Sequence, residues 1–199
     1  MNPIRNLSIV LFVAFAAAIV SCGGGNETYY PKPRGFYRLD LPDKKYTNFD
    51  SVYPFSCRIP QYAHVESIES NEPGSVWFNL IFPAYNGSVN FSYKTINNNL
   101  YKLTEDARDF ANKHIAKANE IKEIRVSHAE NHVYGLIYDI EGTNSASPYQ
   151  FYLTDSTKHY LRGAVYFNHI PNNDSIAPII QRVKEDLDTL IGSLKWKNQ

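Results

Sequence analysis

Three short stretches carry residue types that chemistry uses. Asp155, Ser156 and His159 are the types of a hydrolase triad, in which a base takes a proton from a nucleophilic hydroxyl and an acid orients the base. Members of such a triad converge from separate elements, whereas these three fall within five residues, where side chains splay apart. A turn closed by Asp and Ser hydrogen bonds is the better reading. His128-Ala129-Glu130-Asn131-His132 spaces two imidazoles around a carboxylate, a zinc-like spacing. Zinc needs four ligands, or three and a water, and no Cys pair or second His pair lies nearby. Solvated turn histidines are expected and no metal. His114 falls on an apolar helical stripe and reads as a hydrogen-bonded core histidine. The chain has no Gly-x-Ser-x-Gly elbow, Walker loop or dinucleotide fingerprint, so no catalytic residue and no cofactor are expected.

The chemistry with the clearest sequence basis is at Cys22. Arg5 precedes an uncharged run of 14 residues, positions 7–20, followed by Ser21 and Cys22. A membrane-spanning helix needs about 20 apolar residues and a signal-peptide core roughly 7 to 15. Ile19-Val20-Ser21-Cys22 has the pattern of a bacterial lipobox, so residues 1–21 read as a lipoprotein signal peptide and Cys22 as the lipidated first residue of the mature chain. Two or more acyl chains hold a protein on a membrane stably, where one does so marginally. Gly23-Gly24-Gly25-Asn26-Glu27-Thr28 and the proline-rich Tyr30-Pro31-Lys32-Pro33-Arg34-Gly35 then make residues 22–35 a tether. Without an aspartate after Cys22, the sorting rule of enterobacteria directs the anchor to the outer membrane, with the domain facing the periplasm.

Lys and Arg number 20, as do Asp and Glu, so nothing favours nucleic acid or a polybasic membrane surface. With Cys22 acylated, Cys57 is the one remaining thiol. It can form no intramolecular disulfide and reads as a small buried hydrophobe. Fifteen tyrosines point to strands.

Residues 36–199 read as a single globular domain. Short strands are expected at residues 36–41, 55–59 and 65–68. Residues 76–82 are apolar on nearly both faces, as in a central strand, and Pro83-Ala84-Tyr85-Asn86-Gly87 is a turn. In residues 88–94, Val89, Phe91 and Tyr93 alternate with Ser88, Asn90 and Ser92, the half-buried return strand of a hairpin. A helix capped by Thr104 and ending near Asn119 would bury Leu103, Ala107, Phe110, Ala111, Ile115 and Ala118. Strands follow at 121–127, 133–140, 149–153 and 160–167. A second helix opens at Asn172-Asn173-Asp174-Ser175, with Pro178 in its first turn. Its stripe is Ile176, Ile179, Ile180, Val183, Leu187, Leu190, Ile191 and Leu194. The expected class is α+β, a mainly antiparallel sheet packed by two amphipathic helices. The order resembles the α/β/α sandwich of the PsbP and Mog1 proteins.

One hairpin is unusually rich in large and charged side chains: Gln150-Phe151-Tyr152-Leu153-Thr154-Asp155-Ser156-Thr157-Lys158-His159-Tyr160-Leu161-Arg162-Gly163-Ala164-Val165-Tyr166-Phe167. Alternation separates Tyr152, Tyr160 and Arg162 from Phe151, Leu153 and Leu161. Tyr152, Lys158, His159, Tyr160 and Arg162 are therefore candidate contacts to a protein partner, with Lys158 and His159 at the tip. Together with Pro31-Lys32-Pro33-Arg34-Gly35, Ser92-Tyr93-Lys94, Lys117-Ala118-Asn119-Glu120-Ile121 and Pro171-Asn172-Asn173-Asp174-Ser175-Ile176, this hairpin resembles the GldD family of gliding-motility lipoproteins of the Bacteroidetes. The resemblance implies a cell-envelope lipoprotein needed for gliding and for type IX secretion. It implies membrane attachment through Cys22, partners among the envelope proteins of that machinery, and no enzymatic activity. The alternative from a different class is a periplasmic ligand-binding module or cryptic hydrolase acting on a cell-wall or surface ligand.

Overall fold

The computed structural model describes residues 40–70 and 72–197. The expected signal peptide, the tether with Cys22, and residues 36–39 of the first expected strand lie outside them; Asp40 and Leu41 are not in a strand. Among the described residues, ten strands and two α-helices follow in chain order. They are β1 (Tyr46–Asp50), β2 (Phe55–Pro60), β3 (His64–Ile68), β4 (Ser75–Phe82), β5 (Gly87–Thr95), α1 (Leu100–Asn112), β6 (Glu120–His128), β7 (Val133–Glu141), β8 (Tyr149–Thr154), β9 (His159–Phe167), α2 (Ala177–Ser193) and β10 (Lys195–Trp196). Every strand pairing is antiparallel.

The strands form a three-stranded sheet, β1-β2-β10, and a seven-stranded sheet, β3-β4-β5-β9-β8-β7-β6. In the larger sheet the hairpins β3-β4-β5 come first. The chain then crosses to the far edge through α1 and returns as the meander β6-β7-β8-β9, closing the sheet where β9 pairs with β5. This makes an α+β fold of two amphipathic helices on mainly antiparallel sheet. α2 and β2 pack together, and their apolar side chains share one core with one face of the large sheet. That core includes Phe55, Cys57, Phe78, Phe91, Phe151, Leu161, Leu187 and Trp196. α1 lies on the opposite face, against β8 and β9.

Aromatic rings fill the core in a chain of contacts. Tyr53 meets Phe78 at 4.5 Å between ring centroids, Phe78 stacks on Phe91 at 4.7 Å, and Phe91 meets the edge of Phe151 at 5.9 Å. The Phe151 ring lies over Gly163, where a Cβ would stand 2.4 Å from the ring. Here a missing side chain makes room for a large one on the next strand. Cys57 is buried, and desolvation pushes its thiol up to about 12, so it stays protonated and inert.

Two hairpin turns have nearly the same backbone. Phe82 (φ −113°, ψ 85°) leads into the 3₁₀ turn Pro83–Tyr85 and a left-handed Asn86. His128 (φ −115°, ψ 84°) leads into Ala129–Asn131 and a left-handed His132. Asn and His are among the residues that tolerate this region best without being glycine.

Several expectations needed correction. β1 and β10 carry little sequence signal, because β1 is largely exposed and β10 has two residues. α1 begins at Leu100, not at a Thr104 cap: Thr104 sits inside the helix and its hydroxyl donates back to the Tyr101 carbonyl, an alternative open to Thr within helices. α1 also ends at Asn112, followed by a separate 3₁₀ turn, Ile115–Lys117. Its buried stripe is therefore only Leu103, Ala107 and Ala111, and Ile115 is exposed. The strand at 76–82 is not a central one buried on both faces. β4 is second from the edge, and Val76 and Trp77 are exposed.

Candidate functional site

The face of the large sheet that carries α1 is covered on one half only. A helix that carries the chain from β5 to the far edge must pass over β9 and β8, which leaves β4 and β5 uncovered. The alanines of α1 allow close approach, and the sheet answers with tyrosines. Tyr160 is 2% exposed and its hydroxyl donates to the Leu103 carbonyl at 2.8 Å. Its ring stacks on Tyr152 at 5.7 Å between centroids. Burial raises the phenol pKa values of both and pushes Tyr138 up to about 12. These phenols are neutral donors under α1.

At the border of the covered half lies Arg162. It is half-buried, and its guanidinium donates to the Gln150 Oε1 at 2.7 Å. It also lies over the Phe110 ring, 4.5 Å from the centroid, and Lys113 Nζ is 4.5 Å from the same centroid. Phe110 is 42% exposed, because it projects from the flank of the α1 stripe. Burial lowers the Arg162 pKa, opposed by the hydroxyls of Tyr166, Tyr160 and Tyr138; a guanidinium nonetheless stays charged. His114 is lowered first by burial and then by the charges of Arg162 and Lys117. This corner is cationic.

The uncovered half has a regular relief set by register. Trp77, Ser92 and Arg162 lie in one row across β4, β5 and β9. Asn79, Asn90 and Ala164 form the next, and Ile81, Ser88 and Tyr166 the third. Large side chains thus flank a floor of small ones along β5. The outer rows stand about 13 Å apart.

Residues 26–196 match the gliding motility lipoprotein family GldD. The chain belongs to that family. Its family describes a gliding-motility lipoprotein, hence lipid attachment in the cell envelope. The fold of this GldD family member is similar to the solution structure of cyanobacterial PsbP (CyanoP) from Synechocystis sp. PCC 6803. The TM-score is 0.48 and the identity 11%, over 80% of this chain and 96% of that one. No curated protein sequence matches it.

The five candidate contact residues of the GldD hairpin do not share one surface. Tyr160 lies beneath α1. His159 is buried and turned to the other face, where its Nδ1 bonds the Tyr93 hydroxyl at 2.8 Å and its ring stacks on Trp196 at 5.1 Å between centroids. The expected polar reach of His159 at the tip is thus corrected: one residue before Tyr160, it alternates inward. Burial lowers its pKa, against the opposing charge of Asp155. Tyr152 is half-buried and Lys158 is exposed at the turn. Arg162 remains at the edge of an open face. Its bond to the buried Gln150 means that reversing its charge disturbs a buried neighbour, and is not a mild surface change.

The residues of triad type are used structurally. The Asp155 carboxylate accepts from the amides of Thr157, Lys158 and His159 and from the Thr157 hydroxyl. Partial burial raises its pKa, but these bonds outweigh it and the net shift is downward. Ser156 takes a positive φ of 69° in that turn. The His132 carbonyl accepts from the Trp196 indole at 3.2 Å. Among the described residues no three His, Cys, Asp or Glu side chains are grouped to hold a metal. The relief of β4, β5 and β9 escaped the sequence reading. Its signal was present in the alternation Ser88, Asn90, Ser92, but pairing of β5 with β9 was needed to see it.

Proposed function

We propose that this GldD family member is a non-enzymatic assembly or scaffold component of the gliding apparatus and of the type IX secretion machinery. It is held by a lipidated Cys22 in the outer membrane, with the domain in the periplasm. Its partner surface is the open half of the large sheet beside α1, with Arg162, Phe110 and Trp77 as the principal contacts. The observation that carries this reading is the combination of exposed Trp77 and Phe110 with a cationic Arg162 on an uncovered sheet face. Trp and Arg are enriched where binding energy concentrates. The family supports the gliding-motility lipoprotein part of the reading, and this chain's own geometry supports the surface.

Replacing both Trp77 and Phe110 by Ala tests it, since each is more than a third exposed and the core loses little. The double variant is expected to be lipidated and present at normal level, yet impaired in colony spreading and in release of type IX cargo. Normal spreading and normal release at normal protein level would overturn the surface assignment.

A further inference from the structure

We infer that the trough along β5 takes an extended segment of a partner protein, and that an Asp or Glu side chain of that segment pairs with Arg162. This rests on the surface proposed above and adds the chemistry of its partner. Of the five N–H donors of a guanidinium, Arg162 bonds one acceptor, a neutral amide oxygen. No carboxylate pairs with it among the described residues. The same Gln150 is 1% exposed, and its Nε2 has no partner. The corner therefore holds a half-buried cation whose acceptor is a neutral amide oxygen, beside a buried donor that has no acceptor among the described residues. Such groups are costly when unpaired, and a carboxylate is the acceptor that matches a guanidinium fork. Lys113 and Lys117 reinforce the sign of the charge. Asp106, one turn earlier on α1, lies instead along the polar cleft of Glu72, Lys94 and Lys102.

The relief suits an extended chain. The wall on β4, Trp77 and Ile81, and the wall on β9, Arg162 and Tyr166, are two strand spacings, about 10 Å, apart. Alternate side chains of an extended segment would meet the rows in turn, with an apolar group against Trp77 and a carboxylate at Arg162. This chain's own tether is a poor occupant, because it brings Lys32 and Arg34 to a cationic site.

Trp77 provides the measurement, since it borders the trough while Trp196 is buried. Full-length lipidated protein in detergent micelles is titrated with acetyl-Val-Glu-Val-Glu-Val-amide and with the same peptide carrying Gln for Glu, following indole emission. A saturable change that vanishes in Trp77→Phe is expected with the Glu peptide, with binding at least about tenfold weaker for the Gln peptide. Arg162→Met should reduce the Glu peptide to the Gln level. Ser92→Glu places a carboxylate across from Arg162 on a half-exposed floor position. It should block the Glu peptide with the fold intact, whether or not Arg162→Met folds. Equal affinity for the two peptides, or unimpaired binding of the Glu peptide by Ser92→Glu, would overturn the inference. So would succinate competing as well as the peptide, which would leave a generic anion site. The Trp77 and Phe110 double variant in cells speaks to the surface itself, so the surface can stand while its charge preference fails.

Discussion

The Tyr160 hydroxyl donates to the Leu103 carbonyl across 2.8 Å, tying the first turn of α1 to the strand on which Arg162 also lies. Leu103 is already inside a helix, so the phenol uses a second lone pair of that carbonyl. Tyr160→Phe keeps the ring stacked on Tyr152 and loses only this bond. The expected cost is about 0.5–1.5 kcal/mol, read as a lower urea midpoint. Because α1 carries Phe110, the variant should also show faster amide exchange in α1 than in α2. Equal exchange in both helices would mean that the bond does not hold α1 in place.

Gly135 and Gly163 allow close approach on neighbouring strands. A Cβ at Gly135 would stand 2.0 Å from the Tyr152 carbonyl oxygen, and one at Gly163 would stand 2.4 Å from the Phe151 ring. Overpacking costs typically about 1–3 kcal/mol. Gly135→Ala should cost more than Gly163→Ala, because backbone gives way less readily than a ring. Denaturant midpoints of the two variants provide the comparison.

Asp186 is buried on α2 and accepts hydrogen bonds from the hydroxyls of Tyr46 and Tyr62. Burial raises its pKa above the ordinary 3.8, although both phenols and the charges of Arg182 and Lys44 act the other way. A raised native value means that its contribution to stability is full below the ordinary value and is lost as pH rises through the native one. Asp186→Asn removes that dependence. The stability of wild type minus that of the variant should therefore fall as pH rises above the ordinary carboxylate value of about 4. A difference that grows as pH rises there would show that the phenol bonds outweigh burial.

Cys57→Ser replaces a buried thiol that has no disulfide partner with a hydroxyl that needs one. A loss of about 1–3 kcal/mol in stability is expected, with gliding preserved wherever the protein level is preserved. Lost gliding at normal level and normal melting temperature would assign the thiol a chemical role.

Cys22→Ala should release the protein from the membrane fraction. No other residue could carry the thioether, and the run at positions 7–20 is short for a spanning helix. Retention in the membrane after a salt wash would contradict the lipobox reading.

Local pattern was legible residue by residue. Strict alternation placed Val89, Phe91 and Tyr93 on the core side of β5, and the structure buries all three. The same rule separated Tyr160 and Arg162 from Leu161 on β9. The apolar stripe of α2 was readable in full because a 17-residue helix repeats its face several times. α1 was misread at both ends. Its stripe consists of one leucine and two alanines, and Phe110 and Ile115 mimic a wider one. For the candidate site, Arg162 could be singled out from residue type, but its half-burial could not be read that way. His159, in the same stretch, was assigned to the tip although alternation carries it inward.

Periodicity reports which side chains share a face, since it arises from the geometry of a single helix or strand. It does not report what covers that face. The pairing of β5 with β9, which lie 64 residues apart at Thr95 and His159, and the passage of α1 over β8 and β9 were decided by the tertiary structure. They bury Tyr160, leave Trp77 and Ile81 facing an open trough, and set Arg162 at its edge. The sequence alone determined most of the elements, the alternation of faces along β5, β8 and β9, the lone thiol and the family resemblance, because these depend on local geometry and on residue identity. The covered and open halves of the sheet depend on contacts between distant segments, and only the folded chain brings those together.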